Sequence, residues 1–368
     1  MRALAMPDDV LALAGVAVCD FTLVTERLAN PSDIVYVGRG NIKVSIGGHP
    51  LNISIDLVKL GMDGSKVKVV ASVGNDLCGG YIINTLKSYG IDTRWVHVAE
   101  DQETGKDVII VIDGEDRRFH VDLGANLQLS AKHVIRALGE IKPSLFHVAV
   151  GLLKATDEAL RDVLKAARNE GAITFVDVGV ATRPSGDWEF LRESIKGGLV
   201  DVFHANSYET RRVLGLADLN EAIRFLLESG VRVVLITEGE QGALLASTDF
   251  VVRQPPFKVR VVDPTGAGDA FQAGFLYYVF SGWRPKDNLE RLERDPKEAA
   301  KALAYSQAVG AACVTAPGTT EAVTRDNVEK ILEEQLDTVL KGTAFVDLKA
   351  RRASEGEEKA IKSKNTLK

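Results

Sequence analysis

A carboxylate lies within a run of small residues where it could take part in proton transfer beside an anion. The run from Val261 to Phe271 reads Val-Val-Asp-Pro-Thr-Gly-Ala-Gly-Asp-Ala-Phe. It joins Lys258–Val262, predicted as a strand, to Ala270–Phe280, predicted as a helix. Glycines at such a turn let backbone N–H groups approach a ligand, and a helix N-terminus favours negative charge. We therefore expect an anion hole formed by Gly266, Ala267 and Gly268.

The side chain of Asp269 falls in the first turn of this predicted helix. There it could accept the proton of an attacking hydroxyl while the backbone amides stabilise a transferring phosphoryl group. The alternative is an acid that only stabilises the helix N-terminus, by roughly a few tenths of a kcal/mol. The local motif leaves both interpretations open. A GxxxxGK[ST] motif is absent, which excludes a P-loop protein.

Composition excludes several other classes of protein. The 368 residues carry a formal net charge of −6, with 45% apolar and 26% charged residues. These values are typical of globular proteins, so disorder over most of the chain is excluded. Nucleic acid is not expected as a partner, because phosphate neutralisation needs a basic surface.

Cysteine usage and hydropathy favour a cytoplasmic location. The three cysteines, Cys19, Cys78 and Cys313, are far apart, so neither a zinc ribbon nor a disulfide framework is expected. No apolar stretch approaches the ~18–20 residues that span a bilayer, and no membrane contact is expected. The apolar run Val10–Val18 is predicted as a buried strand rather than a signal segment, since two acidic residues precede it.

Strand-like and helix-like segments alternate along the chain, which indicates βαβ units and a mostly parallel sheet with helices on both faces. The predicted strands are Val10–Val18, Val67–Val73, Leu145–Val150, Ile173–Val178, Leu199–His204 and Val231–Thr237. The predicted helices are Leu51–Leu60, Tyr81–Tyr89, Asp157–Arg168, Asn206–Leu214 and Leu219–Leu227.

Two polar segments interrupt this alternation. Ile34–Ile46 reads as two short strands around a turn at 38–41, and Asp107–Val121 reads as a hairpin around a turn at 113–116. They could be ordinary surface hairpins or a small sheet that stands off the main domain as a lid. The charged segment after about Ala350 has few large apolar residues and is expected to be mobile.

Five segments, in order, resemble the signatures of the ribokinase-like carbohydrate kinases, the PfkB family. Gly47-Gly48-His49-Pro50-Leu51-Asn52, with Leu60-Gly61, resembles the first signature, and the run from Asp263 to Asp269 resembles the second. Between them lie Gly74-Asn75-Asp76 with Gly79, the Asn-x-x-Glu motif Asn206-Ser207-Tyr208-Glu209, and the turn Thr237-Glu238-Gly239-Glu240-Gln241-Gly242. The matches cover about Ala14 to Ala322.

The resemblance implies a three-layer α/β/α, doubly wound, mostly parallel sheet with a small β lid. It implies one kinase domain at 1–345, with lid insertions at about 33–46 and 106–122, and a charged tail at 346–368. A lid of this kind often forms the dimer interface in the family, so we expect a homodimer through the lid.

The implied activity is ATP-dependent phosphoryl transfer to a hydroxyl of a small sugar or sugar-like substrate. Asp269 would be the general base, with the anion hole formed by Gly266, Ala267 and Gly268. Substrate would be bound by Asp20, Gly47, Gly48 and Asn52. Alternatively, Asp20 is an acid that forms a turn after a strand, and Asn52 satisfies nearby backbone inside a helix.

The same resemblance implies sites for ATP and Mg²⁺. Asn206 and Glu209 would organise Mg²⁺ through water, although this pair is also a plausible helix capping box. The nucleotide site would include Thr237, Gly239, Gly242, Asp263 and Thr265. Otherwise, Thr237, Gly239 and Gly242 form a tight turn between strands. A monovalent cation such as K⁺ is also compatible with the family.

Departures from the family pattern leave the acceptor open. Where many members have Asp-x-Asn-x-Arg, this chain has Asp177 without the matching Asn, so no role is assigned to Arg183. His49-Pro50 replaces small residues at a helix start, where Pro is well tolerated. One alternative is a nucleoside kinase of the same family, for which the candidate base platforms are Phe21, Tyr36 and Phe119. Another is a catalytically silent sugar or nucleotide sensor.

A phosphorylated acceptor is a further alternative. It would need cationic side chains in the lid, since guanidinium and ammonium groups bind phosphate. The candidates are Arg39, Lys43, Arg117 and Arg118. Exposed lid charges that are only solvated are the simpler interpretation.

Overall fold

The computed structural model describes residues 9–112, 117–180 and 186–348. Its strands are β1 (Leu11–Ala14), β2 (Val18–Thr25), β3 (Ile42–Gly47), β4 (Val67–Gly74), β5 (Val96–Ala99), β6 (Gly105–Ile112), β7 (Arg118–Asp122), β8 (Leu145–Val150), β9 (Ile173–Val178), β10 (Val202–Asn206), β11 (Val233–Thr237), β12 (Ala243–Ala246), β13 (Phe250–Gln254) and β14 (Ala344–Asp347).

The α-helices are α1 (His49–Lys59), α2 (Leu77–Ser88), α3 (Ala131–Ile141), α4 (Lys154–Glu158), α5 (Leu160–Asn169), α6 (Glu189–Lys196), α7 (Ser207–Leu214), α8 (Leu219–Glu228), α9 (Ala267–Val279), α10 (Pro285–Arg294), α11 (Pro296–Cys313) and α12 (Arg325–Lys341). Within the described ranges, none of these helices combines the length and the apolar character that crossing a bilayer requires.

Ten strands form the central sheet in the order β14-β13-β12-β11-β10-β9-β8-β1-β4-β5. The pairings from β11 through β5 are parallel, whereas β12, β13 and β14 extend one edge in antiparallel fashion. Strand β1 lies between β8 and β4, so the chain winds away from it in both directions. A crevice at the carboxyl ends of the strands is expected at such a switch point.

Both faces of the sheet are buried under helices. Along β1, Leu11 and Leu13 point into one core and Ala12 and Ala14 into the other. The first core includes apolar residues of α1, α2, α9, α10 and α11, and the second those of α3, α5, α6, α7 and α8. The predicted α/β/α architecture is therefore confirmed.

Four strands form a separate small sheet in the order β3-β2-β6-β7, here called the lid sheet. β2 pairs in parallel with β6 and in antiparallel fashion with β3, and β7 completes the predicted hairpin with β6. The turn of that hairpin, 113–116, lies outside the described residues. The lid predicted from the two polar insertions is thus present.

Three strand predictions were wrong in detail. Val10–Val18 is not one strand: β1 ends at Ala14, and β2 begins at Val18 in the lid sheet. The segment Ile34–Ile46 contributes one strand, β3, because its pairing partner is β2 rather than its own first half.

The third is Lys258–Val262, which is not a strand, since its backbone bonds elsewhere. Val262 N donates to Val314 O at 2.7 Å, and Lys258 N donates to the side chain of Gln335 at 2.8 Å. At the other end of the domain, β14 crosses the predicted boundary at residue 345 and pairs with β13. The segment after residue 348, which includes most of the predicted tail, lies outside the described residues.

Candidate active site

A cleft of about 610 Å³ lies between the lid sheet and the carboxyl ends of the central strands. Lid residues form one wall, and the first turn of α9 forms part of the other. Its lining includes five carboxylates, from Asp20, Asp107, Asp177, Glu209 and Asp269. The fold therefore gathers residues far apart in the sequence at the switch point of the sheet.

The N-terminus of α9 borders the cleft, as expected for an anion hole. Its N-cap is Gly266, in the left-handed region with φ 78°, where a Cβ would lie 2.7 Å from the carbonyl oxygen of Thr319. Only glycine satisfies both conditions without strain. The preceding loop is fixed by Asp263, whose carboxylate accepts hydrogen bonds from Thr265 N at 2.9 Å and Gly318 N at 3.1 Å.

The carboxylate of Asp269 has a polar partner on each oxygen. Oδ1 lies 2.7 Å from His49 Nδ1, and Oδ2 accepts a hydrogen bond from Asn52 Nδ2 at 2.8 Å. Asn52 Oδ1 in turn accepts from the hydroxyl of Thr319 at 3.0 Å. Residues at the start of α1 thus fix the orientation of a carboxyl that is only 7% exposed.

His49 connects Asp269 with a second buried carboxylate. Its Nδ1 lies 3.6 Å from Asp177 Oδ2, and Asp177 Oδ1 lies 2.7 Å from His204 Nδ1. Gly179 leaves room for the ring of His49, since a Cβ there would lie 2.7 Å from its Nε2.

The electrostatics of this chain of groups favour an imidazolium at position 49. Burial lowers the pKa of His49, but the charge and hydrogen bond of Asp269, with the charge of Asp177, raise it to about 9. Burial likewise raises the pKa of Asp177, but His204 and His49 outweigh this and bring it to about 2. A positive charge is therefore held between two carboxylates near neutral pH.

The lid wall carries two acids with raised pKa values. Burial, then the charges of Asp107 and Asp269, raise the pKa of Asp20 from 3.8 to about 8. Burial raises the pKa of Asp107 to about 6. Asp20 lies within β2 of the lid sheet, so the alternative of a turn after the first core strand is wrong.

Two glycines let the chain pass close to this wall. A Cβ on Gly47 would lie 2.2 Å from a carboxylate oxygen of Asp20, and one on Gly48 would lie 2.0 Å from the carbonyl oxygen of Val16. Gly48 also has φ 101°, which disfavours any other residue. Both glycines are therefore needed for the close approach of α1 to the lid.

Asn206 and Glu209 form the predicted capping box at the start of α7. Asn206 Oδ1 accepts from Glu209 N, and Glu209 Oε2 accepts from Asn206 N, both at 2.8 Å. Both residues also line the cleft, and burial raises the pKa of the Glu209 carboxyl. Oxygen donors at the edge of a cleft are suitable ligands for Mg²⁺ and its waters, so these residues fit that ion.

The turn after β11 holds three of the residues predicted to bind nucleotide. Thr237 ends β11 and lines the cleft. Gly239 begins a 3₁₀ turn, and Gly242, with φ 95°, closes it through Glu238 N donating to Gly242 O at 2.8 Å. The alternative of a tight turn between strands is thus observed, next to the cleft.

Eleven of the predicted site residues line the cleft together: Asp20, Gly48, Asn52, Asn206, Glu209, Thr237, Thr265, Gly266, Ala267, Gly268 and Asp269. Gly47, Gly239, Gly242 and Asp263 are not part of this lining. Of the lid cations considered, Arg117 lines the cleft and contacts Thr265 Oγ1. Arg183 lies outside the described residues.

Among the aromatic candidates, Phe119 lines the cleft, whereas Tyr36 is 91% exposed and Phe21 is not part of the lining. Four ionisable lining residues had not been assigned a role in the site: His49, Asp107, Asp177 and His204. A single acid within the apolar strand β6 was the available signal for Asp107. The contacts of His49 are with residues distant in the sequence, so no local sequence pattern indicated its role.

Comparison with known proteins identifies related sequences and folds. The family model described as pfkB family carbohydrate kinase matches residues 10–326. A deoxyribokinase from Salmonella typhi is 29% identical over 246 residues, 65% of this chain and 76% of its own length. A ribokinase from Mus musculus is 28% identical over 316 residues, which cover 84% and 90% of the two chains.

A solved structure supports the same fold. A protein from Escherichia coli, crystallised with ATP and Mg²⁺, superposes with a TM-score of 0.71 at 22% identity, covering 89% of this chain and all of that chain.

Proposed function

Since the chain belongs to the pfkB family of carbohydrate kinases, and is thus a phosphotransferase with an alcohol group as acceptor, we propose that it phosphorylates one hydroxyl of a small sugar with ATP. The observation that carries this is the position of Asp269 at the N-terminus of α9, lining the same cleft as Asp20. Base and phosphoryl site would then lie on one wall, with the acceptor between that wall and the lid.

In this reaction Asp269 acts as the general base. The acceptor hydroxyl donates its proton to the Asp269 carboxylate as its oxygen forms a bond to phosphorus. His49 and Asn52 orient the carboxylate, because each binds one of its oxygens. The backbone amides of Gly266, Ala267 and Gly268 stabilise the negative charge of the transferring group, and they require no reorganisation.

The phosphoryl donor is assigned to the side of the cleft near β10 and β11. Thr237, Gly239 and Gly242 would border the nucleotide, next to the loop that contains Asp263 and Thr265. Asn206 and Glu209 would hold Mg²⁺ through water, and this ion neutralises phosphate charge when bound. A monovalent cation such as K⁺ is compatible with this proposal, but we assign no residues to it.

A homodimer through the lid is part of the proposal. The face of the lid sheet that points away from the cleft exposes Ile42, Val44 and Val108, at 66%, 49% and 43%. Apolar side chains in such a row favour burial against a second copy. Light scattering on the wild type and on the Val44→Ser, Val108→Ser double variant tests the proposed dimer. A monomeric wild type would contradict it.

A nucleoside kinase is the second candidate. Phe119 lines the cleft and is 47% exposed, so it offers a face on which a base could stack. The sugar hydroxyl and the base Asp269 would keep the same roles in either case.

The decisive experiment is a phosphorylation screen with ATP and Mg²⁺ across free sugars, polyols, sugar acids, sugar phosphates and nucleosides, with ADP formation as the readout. Turnover of a free sugar supports the leading proposal. Turnover confined to nucleosides replaces it with the second candidate. Binding without turnover of any class would instead indicate a catalytically silent sensor.

A further inference from the structure

Two carboxylates lie side by side on the cleft-facing side of the lid sheet. Asp20 in β2 and Asp107 in β6 are direct partners in the parallel register of these strands, and both line the cleft. Register partners on neighbouring strands project to the same face, at the distance of one strand spacing, about 4.8 Å. The two acids therefore reach the cleft as a pair.

The rest of this wall is mostly apolar. Val18, Ile109, Phe119 and Val121 line the cleft around the pair. Such a surface suits the C–H face of a sugar ring, whereas hydroxyls need polar partners at defined points. Among the described lid residues, Asp20 and Asp107 supply carboxylates that could serve as polar partners for these hydroxyls.

The cationic side chains near this wall are oriented toward other groups. Arg117 lies with its guanidinium against Thr265 Oγ1 and 3.6 Å from Asp263 Oδ1, on the opposite wall. Lys43 pairs in register with Thr22, but it is exposed and is not part of the lining. His49 faces Asp269 and Asp177 rather than the lid. The pair thus faces the acceptor as an acidic surface.

The hydrogen-bonding capacity of the Asp20–Asp107 pair is also incompletely used. Asp107 Oδ1 is buried and has no hydrogen-bond partner among the described residues, and Asp20 is only 4% exposed. Adjacent buried carboxyls without donors destabilise a fold, because burial removes water from groups that repel each other. With pKa values raised to about 8 and 6, the pair holds about one proton near neutral pH. It then presents an O–H donor beside carboxylate acceptors.

We propose that Asp20 and Asp107 form a paired-carboxyl subsite that selects uncharged acceptors with neighbouring hydroxyls and rejects phosphorylated sugars and sugar acids. This inference rests on the proposed kinase function and names its acceptor class. Neighbouring hydroxyls supply the donors that the pair lacks, whereas an anionic group meets repulsion in a site of low dielectric.

The test uses matched acceptors that differ by one phosphate: ribose with ribose 5-phosphate, fructose with fructose 6-phosphate, and glucose with glucose 6-phosphate. For each, kcat/KM is measured with ATP and Mg²⁺, and equilibrium binding without ATP is measured by calorimetry. Binding is a separate readout, so the subsite can be tested even if phosphoryl transfer fails. We expect the wild type to favour the uncharged member of at least one pair by more than roughly tenfold.

Asp107→Asn tests the pair, with Asp122→Asn as the matched control. Asp122 lies on the adjacent strand β7 but pairs with Lys106, on the other face of the lid sheet, and is exposed. Asp107→Asn should weaken binding of the uncharged acceptor by roughly 10- to 100-fold, the effect of losing hydrogen bonds to a charged group. Asp107→Asn should also reduce the preference for the uncharged acceptor over its phosphorylated counterpart. Asp122→Asn should change neither the affinity nor this preference.

Two outcomes would overturn the inference. One is a wild type that binds the phosphorylated members as well as, or better than, the uncharged ones, or that binds none of the uncharged members. The other is an Asp107→Asn protein, folded by circular dichroism, with unchanged affinity and preference. By contrast, intact selective binding with no turnover of any acceptor would contradict the kinase proposal and leave the subsite supported.

Discussion

Two groups of carboxylates face each other across the cleft, and they differ in how far the protein satisfies them. On the α9 side, Asp269 has a partner on each oxygen, and in the loop before α9, outside the cleft lining, Asp263 accepts from two backbone N–H groups. On the lid side, Asp107 has a buried oxygen without a partner, and the pKa of Asp20 is raised to about 8, chiefly by burial.

The difference separates two tasks. Groups that act on the reacting atoms encounter the same charge pattern in every turnover, so the protein can orient them in advance. Groups that recognise an acceptor can leave hydrogen bonds for the ligand to complete. We therefore associate the fully hydrogen-bonded Asp269 with the proposed chemical step, and the incompletely hydrogen-bonded Asp107 with the proposed recognition of the acceptor.

The largest effect is expected when the proposed base, Asp269, is removed. Asp269→Asn keeps the shape and one of the two hydrogen-bonding oxygens but cannot accept the proton, so kcat should fall roughly 10²- to 10⁴-fold. Acceptor binding, measured by calorimetry, should change little. Asp287→Asn is the control, because Asp287 is an exposed acid in the first turn of α10. Unchanged turnover in Asp269→Asn would exclude the assigned base.

The next largest effect is expected in the loop of the proposed anion hole. Gly266→Ala combines a left-handed φ with a contact to Thr319 O, so we expect a loss of about 1–3 kcal/mol in the free energy of unfolding and a lower kcat. Gly282→Ala has the same φ, near 80°, and open space around it. The difference between the two variants in the free energy of unfolding, measured with urea, isolates the contact with Thr319. Equal losses would argue against a destabilising contact there.

A smaller effect is expected when His49, the partner of the proposed base, is replaced. His49→Ala should lower kcat roughly 10- to 100-fold with little change in KM, and His49→Gln should restore part of it, because its amide can still donate. The pH profile of activity distinguishes loss of this orienting contact from a general loss of structure. The imidazolium is present below a pKa of about 9, so the wild type should lose activity above pH 9, and His49→Gln should lack that limb.

Stability should follow the same titration. Because the folded pKa of His49 lies above the unfolded value of 6.5, its contribution is complete below pH 6.5 and disappears as the pH rises through about 9. The Tm of the wild type relative to His49→Gln should therefore decrease over that interval. A constant difference would mean that His49 carries no charge.

The smallest effect sharpens the comparison from the lid side. Asp20→Asn should raise the free energy of unfolding near pH 8 by at least about 1.4 kcal/mol, the equivalent of one pKa unit, while acceptor binding weakens. A raised carboxyl pKa destabilises the fold increasingly as pH rises from about 4 to about 8, so the gain should be smaller at pH 5. Thermal unfolding at both pH values measures it, and a destabilised variant would contradict it.

The sequence predicted the architecture well because its signals are local. Apolar runs such as Leu145–Val150 and Ile173–Val178 coincide with β8 and β9, and the Asn206–Glu209 spacing predicted a capping box that is present. The motif from Asp263 to Asp269 predicted a glycine-containing helix start, and Gly266 is the N-cap of α9.

What failed depended on tertiary pairing. The apolar run Val10–Val18 gave no indication that the chain leaves the central sheet at Ala14, because both segments are buried and rich in Val and Ala. Asp107 had no assigned role, since the role proposed for it depends on its register with Asp20, 87 positions earlier. Likewise, His49 was noted only as a departure at a helix start.

Helix α1 touches both sides of the cleft, and this has a consequence for regiochemistry. The glycines before it pack against Asp20 and Val16, and its first turns hold Asp269 through His49 and Asn52. One helix of eleven residues therefore sets the spacing between the proposed lid subsite and the proposed base. An acceptor anchored at the lid can present only one of its hydroxyls at that spacing, so we expect the product to be a single positional isomer.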